Sequence, residues 1–136
     1  MNSYKEHLLR YQFPAVVWAL LIFILSSIPA SKLPKISIVG FDKIVHGSLF
    51  FILGVLVHRA LEPRVQTDRF DWRRVIISVG VVIIYGASDE LHQAWVPGRR
   101  VDILDLTADS VGGILSAIFV YFDEIRRRRK LSSSSS

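Results

Sequence analysis

Apolar residues along this chain come in long blocks, not at helical or strand intervals, and the charges fall almost entirely between the blocks. Four blocks stand out: residues 13–28 (FPAVVWALLIFILSSI), 44–61 (IVHGSLFFILGVLVHRAL), 75–91 (VIISVGVVIIYGASDEL) and 103–122 (ILDLTADSVGGILSAIFVYF). At 1.5 Å per residue each spans roughly 24–30 Å, enough to cross a hydrocarbon core with modest tilt. A reading with two or three spans would strand an apolar block in water. The pattern therefore predicts an all-α fold: a small polytopic membrane protein, a four-transmembrane-helix bundle forming one domain over residues 1–130. The Ser-rich tail, residues 131–136, is expected to be disordered. Pro14 sits at the opening turn of the first block, where a missing N–H costs little, and Pro29 and Pro34 mark its exit. That block is long for a signal-peptide core, and cleavage after Ala30 would place Ile28 where a small residue is needed, so it reads as an uncleaved anchor.

Composition agrees: 51% of the residues are hydrophobic and the mean hydropathy is +0.38. The absence of cysteine excludes disulfides, thiolate metal sites and a Cys nucleophile. A net charge of +5 raises the question of nucleic acid. The basic residues flank apolar spans and are not interleaved with aromatics on a soluble face, so the expected partner is membrane lipid and not nucleic acid. Their distribution also orients the bundle. With the N-terminus inside, the inner segments hold twelve basic residues (Lys5, Arg10, Arg59, Arg64, Arg69, Arg73, Arg74, Arg126, Arg127, Arg128, Arg129 and Lys130). The outer loops hold five, namely Lys32, Lys35, Lys43, Arg99 and Arg100. Both termini are thus expected in the cytoplasm.

On that topology six carboxylates, Asp42, Asp89, Glu90, Asp102, Asp105 and Asp109, lie at the outer ends of spans two to four, with His46 and His92 beside them. Asp42 and His46 are four residues apart and share a helix face. Ser78, Tyr85, Asp89 and His92 form a polar stripe on span three. Asp105, Asp109, Gly112 and Ser116 form one on span four, acidic outside and small further in, and small residues let helices approach closely. A charge at the bilayer centre costs about 2.5–3.5 kcal/mol on insertion scales. The stripes are therefore expected to face a shared polar cavity open to the outside. Pro97-Gly98 is a turn dipeptide that is expected to bring Arg99 and Arg100 back over the carboxylates, and Trp95 suits the headgroup zone.

DKIVHGSLFFILGVLV (residues 42–57) and YGASDELHQAWVPGRRVDILDLTADSVGGILS (residues 85–116) together resemble the VanZ-like family of bacterial membrane proteins. The pattern is Asp42, Lys43 and His46; Asp89, Glu90 and Gln93; Pro97, Gly98 and Arg99; and Asp105, Leu106, Asp109 and Gly112, with Asp109 standing where many relatives have Asn. The resemblance covers spans two to four. It implies a cell-envelope role in the bacterial inner (plasma) membrane; the family takes its name from a member associated with resistance to the glycopeptide teicoplanin.

Three readings follow. In the first, the protein is an enzyme acting on a lipid-linked or glycan substrate, with His46, Asp42 and Asp109 as candidate ligands of a divalent metal and Asp89, Glu90, His92 and Asp105 as candidate catalytic groups. Carboxylate with imidazole suits Zn²⁺, Mn²⁺ or Mg²⁺, and Glu90 or His92 is the candidate general base. Arg99 and Arg100 are placed to clamp a phosphate, and with Gln93 and Tyr85 they form the candidate substrate-binding set. In the second, the same cavity binds or transports a glycopeptide, headgroup or cation without chemistry. In the third, Asp42, Asp102 and Asp105 are helix caps neutralised by the arginines. The oligomeric state is left open by the sequence. Outside the cluster, His58, Trp18 and Tyr121 read as interface or packing residues.

Overall fold

The computed structural model describes residues 3–34, 38–62 and 70–133, and every regular element among them is helical. Helix α1 (Ser3–His7) runs through a π-helical turn (Leu8–Gln12) into α2 (Phe13–Ser26); α3 (Phe41–Ala60), α4 (Trp72–Gln93) and α5 (Ile103–Ser133) follow. Four helices, Lys5–Ser26, Phe41–Ala60, Trp72–Gln93 and Ile103–Lys130, are long and apolar enough to cross a membrane. Lys35, Arg64, Asp68, Arg69 and the final residues 134–136 lie outside the described residues.

Helix α4 overruns its apolar block at both ends and α5 at its C-terminal end, whereas α2 and α3 stop two and one residues short of the ends of theirs. The overrun is greatest in α5, whose 31 residues extend roughly 46 Å and carry the helix to Ser133, into the segment expected to be disordered tail. Ion pairs one turn apart hold this extension, Arg127 to Asp123 at 2.9 Å and Arg128 to Glu124 at 2.6 Å. Asp71 caps α4 by accepting the Arg73 N–H at 3.0 Å.

The bundle is polar inside and apolar outside. Ile24, Ile76, Ile84 and Ile103 are exposed, whereas Ser78, Asp89, Glu90, Gln93, Asp109 and Ser116 are buried. A small apolar core of Ile22, Phe50, Leu53 and Val82 sits at mid-depth. In water that distribution would expose too much apolar surface; in a bilayer the exposed face meets acyl chains.

Helices α3 and α5 pack most extensively. They approach so closely that a Cβ on Gly112 would run into the Gly47 carbonyl oxygen and lie 2.9 Å from the Phe51 nitrogen. Ser116 fills the space where Gly54 lacks a side chain, and Asp109 packs against Gly86 of α4. The small residues on the α5 stripe thus draw three helices together around Asp109. Helix α2 is tied on separately, through the Trp18 Nε1–H to the Leu49 carbonyl (2.9 Å) and the Tyr85 hydroxyl to the Ala19 carbonyl (2.6 Å).

Candidate functional site

The C-terminal ends of α2 and α4 meet the N-terminal ends of α3 and α5, and there the buried carboxylates Asp89, Glu90, Asp105 and Asp109 collect. His46 lies in the second turn of α3, Glu90 in the last turn of α4 and Asp109 in the second turn of α5. His46 Nδ1 is 3.1 Å from Asp109 Oδ1. One ligand atom from each of His46, Glu90 and Asp109 lies within 4.8 Å of the other two. Glu90 Oε2 accepts the Asp102 N–H at 2.8 Å. The other oxygen of Glu90, one of Asp109 and one of Asp89 are buried with no hydrogen-bond partner. Unpartnered carboxylate oxygens at low dielectric are costly, so the group is short of positive charge or protons. Nitrogen and carboxylate donors of this spacing fit a Zn²⁺- or Mn²⁺-class divalent cation.

The cation the protein itself supplies is Lys43, missed as a site residue by the sequence reading. Its Nζ lies 2.6 Å from Asp102 Oδ2, 2.6 Å from Asp105 Oδ1 and 2.9 Å from Asp42 Oδ2. Asp105 directs its other oxygen at His46 Nε2, 4.0 Å away. Lys43 and Asp102 therefore close over the outer end of the group, which is covered and not an open cavity. The available signal was spacing: Lys43 and His46 are three apart on one face of α3.

Asp102 also caps α5, accepting the Leu104 N–H at 2.8 Å. The Lys43 ammonium, and after it the Leu104 N–H, hold its carboxyl below the ordinary 3.8. A carboxyl lowered in the folded state stabilises fully above its ordinary value and loses that contribution as pH falls through the lowered one. Thermal unfolding of the detergent-solubilised chain should therefore show an acid-side loss of stability that is smaller in Lys43→Met.

Other expected members are placed elsewhere. Asp42 is exposed, pairs among the described residues with the adjacent Lys43 and does not join His46. It does not cap α3 either: that position is Gly40, at φ 77 with no side-chain cap, and Asp42 contributes only negative charge to the first turn. His92 turns away to α2, where Nε2 is 3.0 Å from Ser27 Oγ and the ring lies 4.5 Å from that of Phe23. Tyr85 faces α2 and not the carboxylates, so the stripe read on α4 divides between two neighbours. Asp89 accepts from Gln93 Nε2 at 3.0 Å.

Arg99 does not fold over the carboxylates. Residues 96–99 form a turn closed by the Arg99 N–H to the Val96 carbonyl (3.0 Å), with Gly98 at φ 78 as a type II turn requires. The Ala30 N–H donates to the Pro97 carbonyl at 3.2 Å. That anchors the turn on the end of α2, and Arg99 Nε donates to the Ile28 carbonyl at 3.3 Å with Nη1 3.5 Å from Gln93 Oε1. Arg100 is exposed, and so is Trp95, at 86%.

No curated protein and no solved structure matches this chain. The model of the VanZ/LLP1 family matches residues 11–124, from the π-helical turn before α2 to the start of the basic run on α5. With four helices able to span a membrane and its polar residues turned inward, the chain is a multi-pass membrane protein belonging to the VanZ/LLP1 family.

Proposed function

We infer that this protein holds a divalent cation between His46, Glu90 and Asp109 on the extracytoplasmic side of the bacterial plasma membrane, and acts there on a lipid-linked or phosphate-bearing envelope substrate. One observation carries the reading: three donors from three helices converge within 4.8 Å while buried carboxylate oxygens beside them lack partners. The excess of basic residues at the opposite end supports this side, with both termini in the cytoplasm.

When bound, such a cation polarises a phosphoryl or acyl oxygen or lowers the pKa of a water. The chain's own groups supply the rest. Lys43, a quarter exposed over the outer end of the group, offers positive charge to an incoming phosphate. Asp105, between Lys43 and His46, is placed to take a proton. Arg100 is free to reach a headgroup. Arg99 acts as a positioning residue: it fixes Gln93, and through it Asp89.

The near-complete burial of Glu90 and Asp109 favours a second reading, in which the cation is held or carried and a headgroup or glycopeptide is bound unchanged.

Metal analysis of purified protein should find one cation per chain, lost in His46→Ala, and a labelled phospholipid or lipid-linked glycan should turn over only with the wild type. Bound cation without turnover of any such substrate selects the second reading. Wild type that binds no cation defeats both. Orientation is checked on the naturally cysteine-free chain: a cysteine at Arg100 should react with an impermeant maleimide on intact cells, and one at Ser133 should not.

A further inference from the structure

At the end of the bundle that carries the termini, Arg10, Tyr11, Arg59, Glu62 and Arg127 line a cavity of about 280 Å³. That is far more than the ~10–15 Å³ of such space that one water needs. Its walls come from three parts of the fold. Arg10 and Tyr11 stand on the π-helical turn, Arg59 and Glu62 on and just beyond the last turn of α3, and Arg127 on the overrun of α5. Three guanidiniums meet one lining carboxylate. Arg127 also reaches Asp123 at 2.9 Å, and the Arg10 guanidinium lies 5.7 Å from the centroid of the Tyr11 ring. Among the described residues no carboxylate pairs with Arg10 or Arg59. The lining remains positive after every pair is counted.

Two further observations point to a ligand. The π-helical turn Leu8–Gln12 interrupts an otherwise α-helical run and carries both Arg10 and Tyr11 of the lining, and such turns are frequent at functional sites. The flanking side chains Leu9, Leu61 and Phe122 are exposed and apolar, so the cavity lies where acyl chains give way to headgroups.

We propose that this cavity binds a phosphate group presented by the headgroup of an anionic glycerophospholipid. Planar guanidinium forks match phosphate oxygens in pairs, and the apolar flank accepts the start of the acyl chains. A free phosphate offers the same anion without the chains. The site is independent of the cation group at the other end of the bundle.

The test is native mass spectrometry of the full chain released from mixed phosphatidylglycerol and phosphatidylcholine micelles. Wild type should retain one phosphatidylglycerol with about tenfold preference. Arg10→Gln/Arg59→Gln should lose the preference, and Lys130→Gln, outside the cavity, should keep it. Both arginines are exposed, so the fold should survive; if the double variant does not fold, Arg59→Gln alone decides by the same criterion. Retention in the arginine variants, or equal loss in Lys130→Gln, overturns the proposal. Displacement of the lipid by excess inorganic phosphate, with equal binding of phosphate alone, overturns the lipid source.

Discussion

Leucine at position 112 is expected to prevent α3 and α5 from pairing and so to abolish the monodisperse protein in detergent. Even the Cβ of alanine would meet the Gly47 carbonyl oxygen and the Phe51 nitrogen, both main-chain atoms of a helix that cannot swing aside. Overpacking typically costs about 1–3 kcal/mol when side chains can adjust. Here the obstacle is backbone, so Gly112→Ala belongs at the upper end and leucine beyond it. Gly80 is the control, because a Cβ there meets nothing within 4 Å. Gly80→Ala should be neutral or gain up to about 1 kcal/mol of helix propensity. Unfolding temperatures in one detergent decide the matter: a Gly112→Ala protein that melts with the wild type would mean the two helices do not approach this closely. His46 and Asp109 ride on this same pair of helices, so the variant should also separate them.

The second large effect is an inversion of stability order by added cation. Glu90→Gln keeps the shape of a buried side chain and removes its charge, which without cation should be neutral or stabilising by about 1–2 kcal/mol. A cation at one hundred times its dissociation constant should then stabilise the wild type by about 2.7 kcal/mol and the variant far less. The wild type should melt lower than Glu90→Gln in chelator and higher in Mn²⁺ or Zn²⁺. Asp109→Asn should fall between, since an amide oxygen remains a weaker donor at that position. Equal shifts in wild type and Glu90→Gln would remove Glu90 from the cation site.

Much of this was legible in the chain. Apolar length fixed the number of helices, because a bilayer sets the minimum span and penalises everything shorter. The gathering of Glu90, Asp105, Asp109 and His46 at one end followed from their places in the blocks, and the close approach of α5 from Gly112 and Ser116. Illegible were the choices between neighbours. His92 and Tyr85 share a stripe with Asp89, but α2 claims both, and no periodicity on α4 says which helix lies beside which edge. Lys43 stood in the Asp42-Lys43-His46 pattern and among the outer-loop charges, but it had no role in the site until α5 brought Asp102 and Asp105 to it. The arginines after the Pro97-Gly98 turn were expected over the carboxylates, and Arg99 instead ties the turn to the end of α2.

By itself, then, the sequence determined a membrane bundle of four helices with six carboxylates and two imidazoles gathered at one end, since burial in lipid and helical rise are properties of each segment alone. Tertiary structure decided which of those groups touch. Contact between side chains on different helices depends on rotation and separation, and those are set where Gly47, Gly54 and Gly86 admit α5, not by any pattern within a single helix.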